Sequence, residues 1–187
     1  MEYSFFFVFV YLVASFQEWF FHKYLMHQES YAIFNGLHRN HMLHHATTKK
    51  DYTIKNDKTD YICVEVFSKD GIIQSILLFS INTGFFYILF PNISIHIITT
   101  TVAGMLSVNI LVWNTIHSYV HGFDPSIICS PKGVPKKFLS EKNGIVKWLV
   151  NNHKRHHDNK NTNYNIVFPG ADYFMGTFME TIENEVN

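Results

Sequence analysis

The chain has 187 residues, with 15 Lys and Arg, 15 Asp and Glu, and 17% aromatic residues. This length is typical of one domain that can bury a core, so we treat residues 1–187 as a single unit. A formal charge of zero does not favour a nucleic acid or another polyanion as a partner. The 18 Phe and 10 Tyr residues supply more apolar ring surface than a small soluble domain usually carries.

The first predicted element is an apolar helix over 3–21, with the sequence YSFFFVFVYLVASFQEWFF. At about 1.5 Å per residue it would be about 28 Å long, which is enough to cross a bilayer. Residues 1–21 contain no Lys or Arg and no clear cleavage site, unlike a signal peptide. We therefore predict a membrane anchor.

Two groups of histidines follow the anchor. His22 and His27 are five residues apart and do not share a face of a regular helix. We expect them to flank a site from a helix end, or one to bind while the other supports it. The next group, LHRNHMLHH, contains an H-x-x-H-H pattern at His41, His44 and His45. On a helix these positions fall within an arc of about 100°, which would direct three imidazoles at one place.

The next predicted element is a helical hairpin with arms over 71–90 and 93–116. Only Pro91-Asn92, a natural turn, separates the arms, and each arm is long enough to span a bilayer. Both arms are more polar than an ideal span, so a buried soluble hairpin or a re-entrant one stays open. Small and hydroxylated residues are nevertheless common where membrane helices pack. His96 stands alone among apolar neighbours, and we expect it to pack rather than to bind metal, although ionisable residues at membrane depth are often functional.

Two further histidine groups follow the hairpin. His117 and His121 are spaced i, i+4, which is weak evidence when taken alone, and His153, His156 and His157 repeat H-x-x-H-H. The combination of four groups is strong evidence for a metal site, because neutral imidazole is the commonest metal ligand. The four histidine boxes cover 22–27, 38–45, 117–121 and 153–157.

The distribution of charge predicts a topology. None of the 15 Lys and Arg residues lies in 1–21 or 70–131. If the first helix ends on the cytosolic side, all of them fall on that side, as the positive-inside rule requires, and so do eleven of the twelve histidines. We predict an all-α, multi-pass integral membrane protein with about three transmembrane helices, an anchor and a hairpin, under a cytosolic helical cap that holds a dimetal site. The membrane would be the endoplasmic reticulum in a eukaryote and the cytoplasmic membrane in a bacterium.

The two cysteines, Cys63 and Cys129, stand alone in unrelated contexts. They resemble neither a disulfide framework nor a zinc motif. We therefore expect free thiols in a reducing compartment.

The histidine boxes, H-x4-H, H-x2-H-H, H-x3-H and H-x2-H-H, resemble those of the fatty acid hydroxylase/sterol desaturase superfamily, in this order and between membrane spans. The segment NKNTNYNIVFPGADYFMGT, residues 159–177, is similar to that family's closing segment. EWFFHKYLMH is also similar to carotenoid hydroxylases. The resemblance covers about residues 18–177. The chain departs from the family in size, because it has three convincing spans where members commonly have four.

The resemblance implies a membrane oxidoreductase with a dimetal centre, diiron in the active enzyme, that uses O2 to attack unactivated C–H bonds of lipids. Zinc can replace iron in the purified protein. The resemblance also implies an external electron donor, cytochrome b5-like or ferredoxin-like, and the chain has no nucleotide fingerprint or haem-attachment motif of its own. The implied ligands are His22, His27, His41, His44, His45, His117, His121, His153, His156 and His157. The pattern does not require His38, which we take as a supporting or spare residue.

Ten neutral ligands would leave the charge of two divalent ions poorly compensated. We therefore expect polar residues near the ligands to orient the rings, and acids among them to offset charge. The candidates are Glu18, Asn114 and Asp158, each within four residues of a ligand, with Asp172 as a further acid. Each also has a plainer interpretation, such as an interfacial carboxylate for Glu18 or a helix-packing amide for Asn114.

A fatty-acyl hydroxylase is the first functional prediction, with a carotenoid hydroxylase or a sterol-type desaturase as alternatives on the same site. Imidazole ligands alone do not select the metal. A membrane zinc protein, either a hydrolase or a metal carrier, belongs to a different class, because redox-inert zinc favours hydrolysis. A carrier should place its ligands within its spans, whereas these cluster at one surface. A metal-binding scaffold without turnover is the third class.

Overall fold

The computed structural model describes residues 2–29, 35–55 and 62–180. These ranges contain seven α-helices and no β-strand, apart from one isolated bridge between Thr48 and Ile54. A π-helix, Phe21–Met26, continues the first α-helix, and a 3-10 turn covers Lys136–Phe138. The predicted all-α class is confirmed. The helices are α1 Glu2–Phe20, α2 Asn35–Thr47, α3 Lys69–Leu89, α4 Ile95–Val120, α5 Pro125–Ile128, α6 Gly144–Asp158 and α7 Ala171–Phe174.

Three helical segments are long and apolar enough to cross a membrane: Glu2–Met26, Lys69–Leu89 and Ile95–Val120. In the most apolar windows of the second and third, only 11% and 17% of residues are buried. Side chains such as Ile81 and Ile88 therefore point outward. Exposed apolar surface on this scale is unfavourable in water, which indicates membrane association. The predicted count of three long apolar helices is confirmed.

The predicted hairpin is formed by α3 and α4, which pack against each other. Ser68 caps the start of α3, where its hydroxyl accepts the Gly71 N–H at 3.0 Å. At the turn, the buried side chains of Phe86, Phe90 and Ile93 form a core with those of Phe6 and its neighbours from α1. This cluster joins the three long helices at the end that carries the turn.

The opposite end of the bundle, where α1 ends, α3 begins and α4 ends, is here named the cap end. At the cap end, α6 packs on α4, and the segment after α6 folds back onto α1. Ser15 anchors this segment, because its hydroxyl donates to the Phe168 carbonyl at 2.8 Å and accepts the Ala171 N–H at 2.8 Å. The cap end is thus built from the end of α1, the start of α3, the end of α4, and α6 with the segment that follows it.

Cys63 and Cys129 form a disulfide, with their Cα atoms 5.4 Å apart. The prediction of free thiols is therefore wrong. The residues are 66 positions apart, and only the fold places the loop before α3 beside the end of α5. The bond fastens that loop beneath the last turns of α4, where the Ser118 hydroxyl lies 3.0 Å from the Cys129 sulfur.

Candidate metal centre

Ten histidines form two compact groups at the cap end. Within each group, one ring nitrogen from every member lies within 4.8 Å of all the others. Each group could hold a metal ion, and both consist of histidine alone in the part of the chain that the structure describes. The first group is His22, His27, His41, His45 and His156, and the second group is His44, His117, His121, His153 and His157. These are the ten residues predicted as ligands.

A π-helix aligns His22 with His27. The His27 N–H donates to the His22 carbonyl at 3.2 Å, an i→i+5 hydrogen bond. A turn closed in this way brings together residues five apart in sequence. The ring centroids of the two histidines are consequently only 5.2 Å apart. On a regular helix they would not share a face, and the π-turn at the end of α1 brings both to one group, in line with the expectation that they flank a site from a helix end.

Each H-x-x-H-H pattern serves both groups. On α2, His41 and His45 join the first group, while His44 joins the second. On α6 the arrangement is reversed: His153 and His157 join the second group, and His156 joins the first. The expectation that each pattern directs three rings at one place is therefore wrong. Neighbouring residues on a helix are about 100° apart, so two adjacent histidines can direct their rings into two different sites that lie side by side.

Backbone carbonyl oxygens orient four of the ten rings, two in each group. The pairs, with their Nδ1···O distances, are His22–Tyr164 (2.6 Å), His117–Ile62 (2.6 Å), His121–Tyr52 (2.6 Å) and His156–Thr162 (2.8 Å). A carbonyl oxygen only accepts hydrogen bonds, so Nδ1 carries the proton in these rings and Nε2 presents a lone pair. A second nitrogen held in this way is usual for metal-bound histidine.

The lone pairs converge in a manner that suits a cation. The Nε2 atoms of His27 and His156 are 3.0 Å apart, and those of His22 and His41 are 3.1 Å apart. A proton on one ring relieves one such contact, whereas a cation attracts every lone pair in the group. The Nε2 atom of His117 is buried and has no hydrogen-bond partner among the described residues. The donor set therefore fits one divalent metal ion in each group.

Burial keeps the rings in the neutral form that binds metal. Desolvation lowers the pKa of His27 to about 3 and the pKa values of His121 and His156 to about 4. For His27, the neighbouring His156 adds to the effect. Neutral imidazole is the ligand form at physiological pH, so no deprotonation has to precede metal binding.

Glu18 acts on the site through a loop rather than through a ring. Its buried carboxylate accepts the N–H groups of Ile166, Val167 and Phe168 at 2.7–2.8 Å, together with the Asn165 amide at 3.3 Å. The loop begins next to the carbonyl that orients His22. The expectation of direct ring orientation by Glu18 is replaced by positioning of the backbone.

Asn114 and Asp158 act in the same way as Glu18, each by holding a segment of backbone near a histidine. The Asn114 side chain accepts the Val64 N–H at 2.8 Å and donates to the Pro131 carbonyl at 2.9 Å, so it holds the loop whose Ile62 carbonyl orients His117. Asp158 accepts the Tyr52 hydroxyl at 2.8 Å. The carbonyl of that same tyrosine orients His121. All three predicted supporting residues thus hold a segment that presents a carbonyl to a ligand.

Asp172, the further acid, braces the loop that presents Tyr164. Its carboxylate accepts the N–H groups of Tyr164 at 3.0 Å and Asn165 at 2.7 Å, and the Thr177 hydroxyl at 2.6 Å. Sequence reasoning did not identify Tyr52, Ile62, Thr162 or Tyr164 as parts of the site. They contribute through main-chain carbonyls, which every residue type carries, so no side-chain pattern could have identified them.

The remaining two histidines lie outside both groups. His38 Nδ1 lies 3.0 Å from the carbonyl of Met26, the last residue of the π-helix, so it supports the segment that presents His27. His96 is exposed near the start of α4, at the end of the bundle away from the cap. His96 is therefore not the packing residue that was expected, and it lies apart from both groups of histidines.

A cavity of about 590 Å³ reaches both groups. It lies between α2, α3 and α4, and its lining includes His41 of the first group and His117 of the second. Trp113 also lines the cavity, with its ring centroid 5.3 Å from that of His117 and 5.6 Å from that of His22. One indole therefore contacts both groups at the inner end of the cavity.

Comparison with known proteins gives no relative. No protein-family model matches the chain, and no curated protein and no solved structure matches it significantly.

Proposed function

We propose that the protein is a membrane-bound, O2-dependent dimetal oxidoreductase that hydroxylates or desaturates a lipid C–H bond, most simply in a fatty-acyl chain. The observation that carries the proposal is the cavity that extends from between two outward-facing apolar helices to both histidine groups. Catalytic zinc sites of hydrolases usually have about three protein ligands and an open position, whereas each group here offers five histidines. The histidine boxes that resemble the fatty acid hydroxylase/sterol desaturase superfamily add support.

The side chains divide the work between binding and positioning. The ten histidines would hold two iron ions, and bound iron would supply the activation of dioxygen that attack on an unactivated C–H bond requires. The carbonyls of Tyr164 and Ile62 fix the planes of His22 and His117, so that the lone pair of each ring stays aimed at the centre of its own group. The Trp113 ring, which lies against both groups, would limit the access of water to the metal ions from the cavity.

Electrons would come from a separate protein, cytochrome b5-like or ferredoxin-like. Exposed lysines near the cap end, Lys132, Lys136 and Lys137, offer a basic surface to an acidic donor. In this proposal the cap end faces the cytosol, from the endoplasmic reticulum or from the cytoplasmic membrane, because the Lys and Arg residues favour that side. The Cys63–Cys129 disulfide at the same end would be an exception there, because the cytosol keeps most protein thiols reduced.

The test is expression with and without iron supplementation, followed by metal analysis of the protein and lipid profiling of the cells. We expect iron in the purified protein and a new O2-dependent hydroxylated or unsaturated lipid. His156→Ala should remove the product while membrane insertion is kept, whereas His96→Ala, a histidine outside both groups, should retain it. Retained zinc without iron, and no O2-dependent product under iron-replete conditions, would contradict the proposal.

A further inference from the structure

The cavity has an apolar end and a polar end. Its more apolar end lies between Leu78 of α3 and Leu106 of α4, where Ser75 and Ser107 also line it, and its inner polar end meets His41 and His117. Leu106 precedes His117 by eleven residues on one helix, which is about 16 Å along the axis. A volume of about 590 Å³ is enough for part of one hydrocarbon chain along α4.

The polar end of the cavity is acidic. Glu65 and Asp70, both exposed, line it where the cavity opens to solvent, and no Lys or Arg lines the cavity among the described residues. Because α3 starts at Lys69 and runs back against α4, these carboxylates lie at the level of the histidine groups rather than at the apolar end. Ser68, Gln74 and Asn109 line the same cavity with hydroxyl and amide groups. A hydroxyl, amide or ammonium group would find acceptors here, whereas a carboxylate or phosphate would meet like charge.

The metal centre forms the inner wall of this end, through His117 of the second group. The Nε2 atom of His117 lies at the inner wall, its side chain is 1% exposed, and this nitrogen has no hydrogen-bond partner among the described residues. Trp113 stacks on the same ring at 5.3 Å. A polar group held by Glu65 and Asp70 would bring the adjacent carbons of its own chain close to this wall.

We infer that the cavity selects a lipid whose polar end is neutral or positively charged, such as an alcohol, amide or amine, over one that ends in a free carboxylate or phosphate. The inference rests on the proposed function for the identity of this cavity as the substrate site. It narrows the substrate class from lipids in general to those without an anionic end group next to the oxidised carbons.

Binding can be measured without turnover. The full chain in neutral nanodiscs would be titrated with a brominated long-chain amine, alcohol and carboxylic acid of equal chain length, and quenching of tryptophan fluorescence would be recorded. The pH is set so that the acid is ionised and the amine protonated. Trp113 lines the cavity, so Trp113→Phe identifies its share of the signal. We expect the amine and the alcohol to bind at least about threefold more tightly than the acid.

Paired variants test the cause of the preference. The double variant E65Q/D70N should bind all three probes within about twofold of one another. The control E141Q/E180Q removes two exposed carboxylates from outside the cavity lining and should keep the preference. The inference is overturned if the acid binds as tightly as the amine to the unaltered protein, or if E65Q/D70N leaves the preference unchanged.

The experiments distinguish a failure of the proposed function from a failure of the proposed selectivity. The binding preference without any O2-dependent lipid product overturns the proposed oxidoreductase function and upholds the selectivity of the cavity. O2-dependent oxidation of a free fatty acid, in preference to the matched alcohol and amine, upholds the oxidoreductase function and overturns the selectivity.

Discussion

The Nδ1 atom of His22 lies 2.6 Å from the carbonyl oxygen of Tyr164, 142 residues away in the chain. This contact joins the end of the first long helix to the loop after α6. The loop in turn is held by the Glu18 carboxylate, which lies one helical turn before His22. Glu18 thus positions the ring of His22, four residues later on the same helix, through hydrogen bonds that pass through the loop.

Replacing Glu18 with Gln should weaken the attachment of this loop to α1. The amide retains one acceptor oxygen but turns its NH₂ group toward N–H donors, so at least one buried hydrogen bond to the carboxylate is lost. We expect a loss of about 2–3 kcal/mol of stability, with lower metal content. Thermal unfolding in detergent and metal analysis would check this. Glu2→Gln, at the exposed start of the same helix, is the control and should change neither quantity.

Removing one ligand from either group should lower the metal content of the protein. We expect about two ions per chain in the unaltered protein, and about one or fewer in His44→Ala and in His45→Ala, neighbours on α2 that serve different groups. The exposed His96→Ala is the control. Metal analysis against protein concentration is the measurement. Two ions retained in both ligand variants would refute the assignment of the groups.

Much of this centre could be predicted from the sequence, and the limits have physical causes. The ten histidines and the long apolar helices follow from spacing and hydropathy. The alignment of His22 with His27 does not, because it requires a π-helix, which packs against α2 and has no signature in the spacing of the residues. The division of each H-x-x-H-H pattern between two groups, and the pairing of Cys63 with Cys129, depend on distant segments that only tertiary structure brings together.

Lowering the pH should destabilise the metal-free protein. Burial lowers the pKa values of His121 and His156 to about 4, whereas the unfolded chain titrates near about 6.5. Between these values the unfolded state binds more protons than the folded state, so stability is fully present above about pH 6.5 and falls toward pH 4. Unfolding midpoints in detergent at pH 7.5, 6 and 5 would show a progressive decrease. A constant midpoint over that range is the contrary result.

Opening the Cys63–Cys129 disulfide should weaken the second group in particular. Cys63 adjoins Ile62, whose carbonyl orients His117, so a looser loop leaves that ring less well held. We expect Cys63→Ser or Cys129→Ser to cost about 2–4 kcal/mol and to lower metal retention. Mass spectrometry after alkylation would establish the bond, and thermal unfolding with and without reductant would measure its effect. Alkylation of both cysteines in freshly isolated, unreduced protein would show that the bond does not form.

The sharing of α2 and α6 between the two groups has a thermodynamic consequence. Each helix places rings in both groups, so the first ion to bind immobilises two elements that the second ion also needs. The second ion then has to order less of the protein, so it loses less conformational entropy on binding and binds more tightly. Titration of the metal-free protein should therefore be cooperative, with the singly loaded form a minor species throughout.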